Sequence, residues 1–85
     1  MPEVEVGTVN KYFDKIGVGM IQVTQGALSV GDTIHIKGNS TDLTVTISSI
    51  QVQRQPVQTA NPGEEAGIKL DSKVRQNDKV YKVTP

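Results

Sequence analysis

Eighty-five residues carrying nine basic and nine acidic side chains, one histidine and no cysteine leave few classes of protein open. A domain this small buries only about 60–65% of the surface its unfolded chain exposes, and without cysteine it has neither disulfide staples nor a thiolate metal site, which fits a reducing cytoplasm. Balanced charge gives no global pull towards nucleic acid or an anionic membrane, the start MPEVEVG lacks the basic and apolar regions of a cleaved signal, and no apolar run approaches the roughly 20 residues of a membrane helix; a soluble, single domain over residues 1–85 is expected.

The chain reads as strands nearly throughout, because β-branched residues recur with period two and Gly, Pro, Asn and Asp interrupt them about every 8–12 residues. The first strand runs from about Glu3 to Phe13. Val4 and Val6 share one face and Val9 and Phe13 the other, so Gly7, at the flip, predicts a bulge that returns both halves to one core. Asp14-Lys15-Ile16-Gly17 supplies a turn, and a second strand from about Val18 to Thr24 pairs back. Gly26 and Val30-Gly31-Asp32 bound a loop anchored by Leu28, and a third strand covers Thr33–Lys37.

In the fourth predicted strand, Leu43–Gln53, apolar residues fall on odd positions through Ile47 and on even ones from Ile50, which predicts a bulge at Ser48-Ser49. Pro56 confines its segment to an edge or a loop. Asn61-Pro62-Gly63-Glu64 then forms a turn with Gly63 in the left-handed region, after which Ala66, Ile68 and Leu70 point inward and Glu65 and Lys69 outward. A polar loop, Asp71–Asp78, leads to the last strand, Lys79–Val83. Six or seven short strands, two of them bulged, predict a small closed antiparallel β-barrel, since bulges make its corners and closure removes its edges.

Catalytic equipment is sparse. No Gly-Lys pair offers a P-loop, and Gly17-Val18-Gly19 lacks the third glycine of a dinucleotide fingerprint and opens a strand, so it reads as a hairpin start. His35, between Ile34 and Ile36, points away from the core without the further His or Cys a metal would need, and no motif presents a nucleophile for a triad. Glu64 and Glu65, as strand neighbours, point apart and cannot converge on one bond; Glu64 is expected to accept hydrogen bonds at the turn and Glu65 to stand in solvent. The chain is therefore read as a non-enzyme without catalytic residues, metal or cofactor.

A binding surface is the stronger expectation. Thr44, Thr46, Gln51, Gln53, Arg54 and Gln55 form a predicted polar face with one guanidinium, while Lys11, Lys15, Lys37, Lys69, Lys73, Arg75, Lys79 and Lys82 provide the other positive charges; the chain from Gly67 onward is net basic, a pattern that suits contact with a phosphate backbone and that a solvated surface gives equally. Lys11, Tyr12, Lys37, Gln53, Arg54 and Lys69 are the candidate partner-binding residues. Phe13 is assigned to the core, which leaves too few aromatics for a single-strand stacking platform.

The ordered elements resemble domain 2 of the translational GTPases, closest to the tRNA-carrying elongation factors. The likeness rests on Gly17 and Gly19 at the entry to the second strand; on Gly26, Leu28, Gly31 and Asp32 in the following loop; on Ile47, Ser49 and Ile50; and on Ala60, Pro62, Gly63, Glu64, Ala66 and Gly67. It covers about Val6 to Val83 and implies a small β-barrel working as a translation-associated module that contacts tRNA, ribosomal RNA or a protein of that machinery, as a monomer or in a transient complex. No GTPase domain is present, so no GTP is expected to bind. The Gly-Arg-Val-Glu stretch near the family's aminoacyl pocket reads here Ile21-Gln22-Val23-Thr24, without the charged pair. Such a barrel is also similar to one appended to collagenase-like peptidases that modify RNA, which gives the alternative expectation of an accessory module in a peptidase system.

Overall fold

The computed structural model describes residues 3–83. Ten strands and no helix occur among them: β1 (Glu3–Phe13), β2 (Val18–Val23), β3 (Leu28–Ser29), β4 (Thr33–Lys37), β5 (Asp42–Thr46), β6 (Ile50–Val52), β7 (Gln55–Val57), β8 (Thr59–Ala60), β9 (Glu65–Lys69) and β10 (Lys79–Val83). Eight make one antiparallel sheet in the order β5-β4-β10-β1-β2-β9-β6-β7, and β3 pairs with β8. The Cα radius of gyration is 11.2 Å, close to the roughly 12 Å that size scaling gives for a folded chain of this length.

The alternation of apolar residues builds the core. Ile21 and Val23 on β2, Ile34 and Ile36 on β4, Ala66 and Ile68 on β9 and Val80 on β10 are all fully buried. Each alternates with a more exposed residue, except at Gly67 on β9, which is buried as well. Leu28 anchors its loop at 0% exposure, as expected, but does so from a short strand against Ala60.

The predicted bulge at Gly7 is present, where the register against β10 shifts between Glu5 and Gly7. Gly7 crosses so close to β2 that a Cβ would overlap the Gln22 carbonyl oxygen. Val6 and Val9 are both buried, as the bulge requires. A second shift, between Val9 and Lys11, had no counterpart in the sequence reading, and it corrects two assignments. Beyond Asn10 the faces exchange, so Phe13 is 37% exposed instead of belonging to the core, and Tyr12 packs partly against the core. Val4, 54% exposed, also lies outside the core, beside Lys82 near the end of β10.

The predicted bulge at Ser48-Ser49 is a strand break. β5 ends at Thr46 on one edge of the sheet, and β6 begins at Ile50 between β9 and β7. Ile47 is held by the loop before β4 instead: its N–H donates to the Asp32 carbonyl at 2.8 Å and its carbonyl accepts from Gly31 N at 2.8 Å. The break raises the strand count above six or seven. It also divides the predicted polar face, leaving Thr44 and Thr46 on β5 and Gln51 to Gln55 on the opposite side of the sheet order. The fold is thus all-β, an eight-stranded antiparallel sheet beside the two-stranded β3–β8 pair, and the ladder of the larger sheet ends at β5 and β7 without closing on itself. Pro56 lies in β7, the edge strand.

Candidate functional site

A groove of about 700 Å³ lies on the outer face of β2, β9 and β6. Its floor is made by an absence. Gly67 pairs with Met20 on one side and Gln51 on the other, and where every other residue would project a side chain it leaves a trough; a Cβ there would come 3.3 Å from Met20 Sδ. Val18 and Met20 on β2 and Val52 on β6 make the walls apolar.

Phe13 and Ile16, presented by the β1–β2 turn, form one end and are 37% and 63% exposed. The turn is fixed by Gly17 N–H donating to the Phe13 carbonyl at 2.9 Å, with Gly17 at φ +67°. The β6–β7 hairpin contributes Gln53 and Arg54, whose φ values of 53° and 66° place them at the centre of a two-residue turn between Val52 and Gln55. Such hairpin turns need positive φ at both central positions and favour Asn-Gly, so two long side chains are held here at a conformational cost.

The Pro62-Gly63 turn forms the last wall. Gly63, at φ +91°, donates its N–H to the Val23 carbonyl at 2.8 Å, and Glu64 Oε1 accepts from Asn61 N at 2.7 Å, the acceptor role expected of it. Glu65 is exposed but not idle in solvent: its Oε2 accepts from Asn10 Nδ2 at 2.8 Å. Both glutamates border the groove with an oxygen already engaged, while Arg54 has no carboxylate within 4.0 Å among the described residues. An apolar trough with guanidinium and amide donors at its rim suits an aliphatic or aromatic group joined to an anionic or carbonyl oxygen.

Of the candidate partner-binding residues, the structure brings only Gln53 and Arg54 to this groove. Lys11 and Tyr12 line a separate cleft beside the Asp71–Asp78 loop. Lys37 lies at the far end of β4 against Asp42 and Lys79, and Lys69 pairs with Val18 outside the groove lining. The basic residues therefore form no single patch, and two are neutralised: Lys79 Nζ is 3.8 Å from Glu5 Oε2 and Lys82 Nζ is 3.2 Å from Asp32 Oδ2. The motif residues Gly26 and Gly31 have φ of 70° and 97°, and Asp32 Oδ2 accepts from Ser29 N at 2.9 Å; these positions shape loops, whereas Gly19 lies within β2, packed beneath Leu70. Phe13, Ile16, Val18, Met20, Val52 and Gly67 line the groove without being among the candidates of the sequence reading. Phe13 had been assigned inward, and two exposed apolar residues flanking Asp14-Lys15 were the available signal.

His35 points outward as expected, its Nδ1 2.8 Å from Glu3 Oε2 and its Nε2 2.5 Å from Asp42 Oδ1. The Asp42 hydrogen bond, then that of Glu3, raises its pKa above the ordinary value, against a smaller opposing effect of burial. Both ring nitrogens face carboxylates rather than a hydroxyl, so the cluster is an ion-pair tie between strands, and among the described residues no group of three or more His, Cys, Asp or Glu is arranged to hold a metal ion.

Comparison with known proteins gives this geometry a family. The sequence profile of elongation factor Tu domain 2 matches residues 17–77. An uncharacterized protease of Methanocaldococcus jannaschii is 35% identical over 80 residues, spanning 93% of this chain and 19% of that protein. A collagenase of Porphyromonas gingivalis is 33% identical over 81 residues, 94% of this chain and 20% of that protein. The chain thus spans about a fifth of the length of these relatives. Among solved structures, the C-terminal domain of a Geobacillus thermoleovorans protein designated a U32 peptidase superposes with a TM-score of 0.85 over 93% of this chain and 91% of that domain, at 18% identity, a likeness of fold. The chain belongs to the elongation factor Tu domain 2 family.

Proposed function

We propose that this member of the elongation factor Tu domain 2 family serves as a non-catalytic β-domain of a U32-type, collagenase-like peptidase system, docking its partner or positioning the substrate through the groove around Gly67. The observation that carries the reading is the alignment of more than nine-tenths of the chain with about a fifth of a protease and of a collagenase. The sequence expectation of an accessory module is favoured over a role in translation. Where the tRNA carriers have Arg and Glu, this chain has Gln22, whose Nε2 donates to the Glu64 carbonyl, and Thr24, whose hydroxyl donates to the Val6 carbonyl. If the peptidase system is one that modifies RNA, the groove would hold a part of that substrate next to the catalytic body.

We also infer that the sheet behaves as a barrel. The bonds of Ile47 to Gly31 and Asp32, the 2.8–2.9 Å contacts around them and the β3–β8 pair link the chain after β5 to the chain after β7. Slow hydrogen exchange at the Ile47 and Val30 amides, comparable with that of β1 and β2, is expected; exchange at loop rates would refute closure.

A graft tests the functional reading. The segment of the Porphyromonas gingivalis collagenase matched by this chain is replaced with residues 1–85, and peptide cleavage is measured against the parent and against a deletion of the segment. The graft is expected to retain cleavage that the deletion loses, and Met20→Lys within the graft to abolish the gain. A folded graft no better than the deletion would count against the proposal. Tight tRNA binding by the isolated chain at low and moderate salt would instead favour translation.

A further inference from the structure

We infer that the cleft between β1 and the Asp71–Asp78 loop is a binding site for a phosphate group carried on a larger ligand. No residue lines both this site and the groove around Gly67, and the inference does not depend on the groove's function. It has a volume of about 520 Å³, and its lining includes Lys11, Tyr12, Asp14, Lys73 and Arg75. Three cations against one carboxylate give the cleft an excess of two positive charges on a chain whose formal net charge is zero.

The loop that brings these cations together is fixed. Val74 is 2% exposed and packs close to Gly19, so Lys73 and Arg75, its neighbours on either side, remain exposed at the cleft. Val9 N–H donates to the Asp78 carbonyl and Asn77 N–H to the Val9 carbonyl, each at 2.8 Å, clamping the loop along β1. The buried Asp78 carboxylate accepts from Arg75 N at 2.9 Å, and Asn77 takes φ 73° to complete the turn. Ordering of this kind lowers the entropy that a ligand must remove on binding.

The cations are also available. Among the described residues, ion pairs are formed by His35, Lys79 and Lys82, and none by Lys11, Lys73 or Arg75. Lys11 Nζ lies 5.2 Å from the centre of the Phe13 ring, a contact that leaves its charge uncompensated. A phosphate suits the arrangement better than a carboxylate. Its three or four oxygens and higher charge can engage several separated cations at once, whereas a carboxylate is satisfied by one bidentate guanidinium. The remaining volume beside Tyr12 accommodates whatever the phosphate is attached to.

The test is a titration of the isotopically labelled 85-residue chain followed by backbone amide shifts, at low and at moderate salt. One arm uses sodium tripolyphosphate, another a 5′-phosphorylated single-stranded oligonucleotide and a third a poly-glutamate peptide. Saturable shifts confined to Asn10–Asp14 and Lys73–Gln76 are expected with both phosphate probes, at least tenfold weaker in Lys73→Ala/Arg75→Ala and unchanged in Lys37→Ala. Tighter binding of the oligonucleotide would identify a nucleic-acid backbone as the source of the phosphate, and equal affinities a free polyphosphate. Equal or stronger binding of the peptide, or shifts spread over all lysines without saturation, would overturn the inference. Should the double variant lose its fold, Lys11→Gln and Arg75→Gln, both at exposed positions, provide the same comparison singly.

Discussion

The alternation of apolar residues slips twice, at Gly7 in β1 and at Ser48-Ser49 after β5, and the chain resolves the two slips in different ways. At Gly7 the strand continues, paired on both sides, because a residue without a side chain lets β1 pass the Gln22 carbonyl. At Ser48-Ser49 both residues are exposed and unpaired, and the chain leaves one edge of the sheet to re-enter near the other. A slip in phase therefore says that the chain must turn; whether it bulges or breaks depends on what lies alongside. Beside Gly7 there is a strand on each side to hold the ladder, whereas Ile47 meets the amide and carbonyl of Gly31 and Asp32, which take its backbone bonds away from the sheet.

The apolar residues bounding the break are expected to matter most. Ile47→Ala and Ile50→Ala, both at 1% exposure, should each cost about 2–5 kcal/mol in denaturant unfolding, a large share of the stability of a small domain. A mild effect at either would mean that the chain crosses between edges without being anchored. Gly7→Ala should cost about 1–3 kcal/mol by overpacking, more if β1 cannot shift, and a neutral melting curve would show that the bulge is not held against β2. Gly63→Val is the control in which conformation, not space, is at issue: a Cβ there meets nothing within 4 Å, but φ is +91°, so a loss of about 1–2 kcal/mol is expected.

A smaller, pH-dependent effect links the two regions, since His35 ties Glu3 at the start of β1 to Asp42 at the start of β5. Its folded pKa is raised, so the tie stabilises fully below the unfolded value near 6.5 and is lost as pH rises through the higher folded value. Melting temperature followed from pH 5 to 9 should show this loss in the parent and not in His35→Gln; identical profiles would dismiss the tie. The smallest effect is expected at the break itself, where Ser48→Ala with Ser49→Ala should stay within about 0.5 kcal/mol. A larger cost would reveal a structural role for the two hydroxyls.

Much of the sheet was legible because burial on one face writes period two into the sequence. β1, β4 and β10 begin and end where the sequence predicts, Gly7 sits at the predicted bulge, and Gly63 takes the predicted positive φ. The second irregularity of β1 was hidden because Asn10 stands between Val9 and Lys11, where no apolar residue marks the change of face. β3 and β8, two residues each, are too short to show a period. The groove was the least legible part. Its defining residue, Gly67, has no side chain to announce it, and its walls come from three separate stretches that only strand pairing brings together.

Pro56 has a consequence beyond the hairpin it belongs to. Val52 and Gln55 close a two-residue turn and so form the hydrogen-bonded pair, which makes Gln51 and Pro56 the next, non-bonded pair and turns the Pro56 nitrogen outward. That nitrogen carries no proton, so an incoming strand finds a missing donor on this border of the sheet. A fibril needs two templating edges, one to receive and one to offer. With β7 blunted, edge-to-edge stacking of copies is disfavoured along this border.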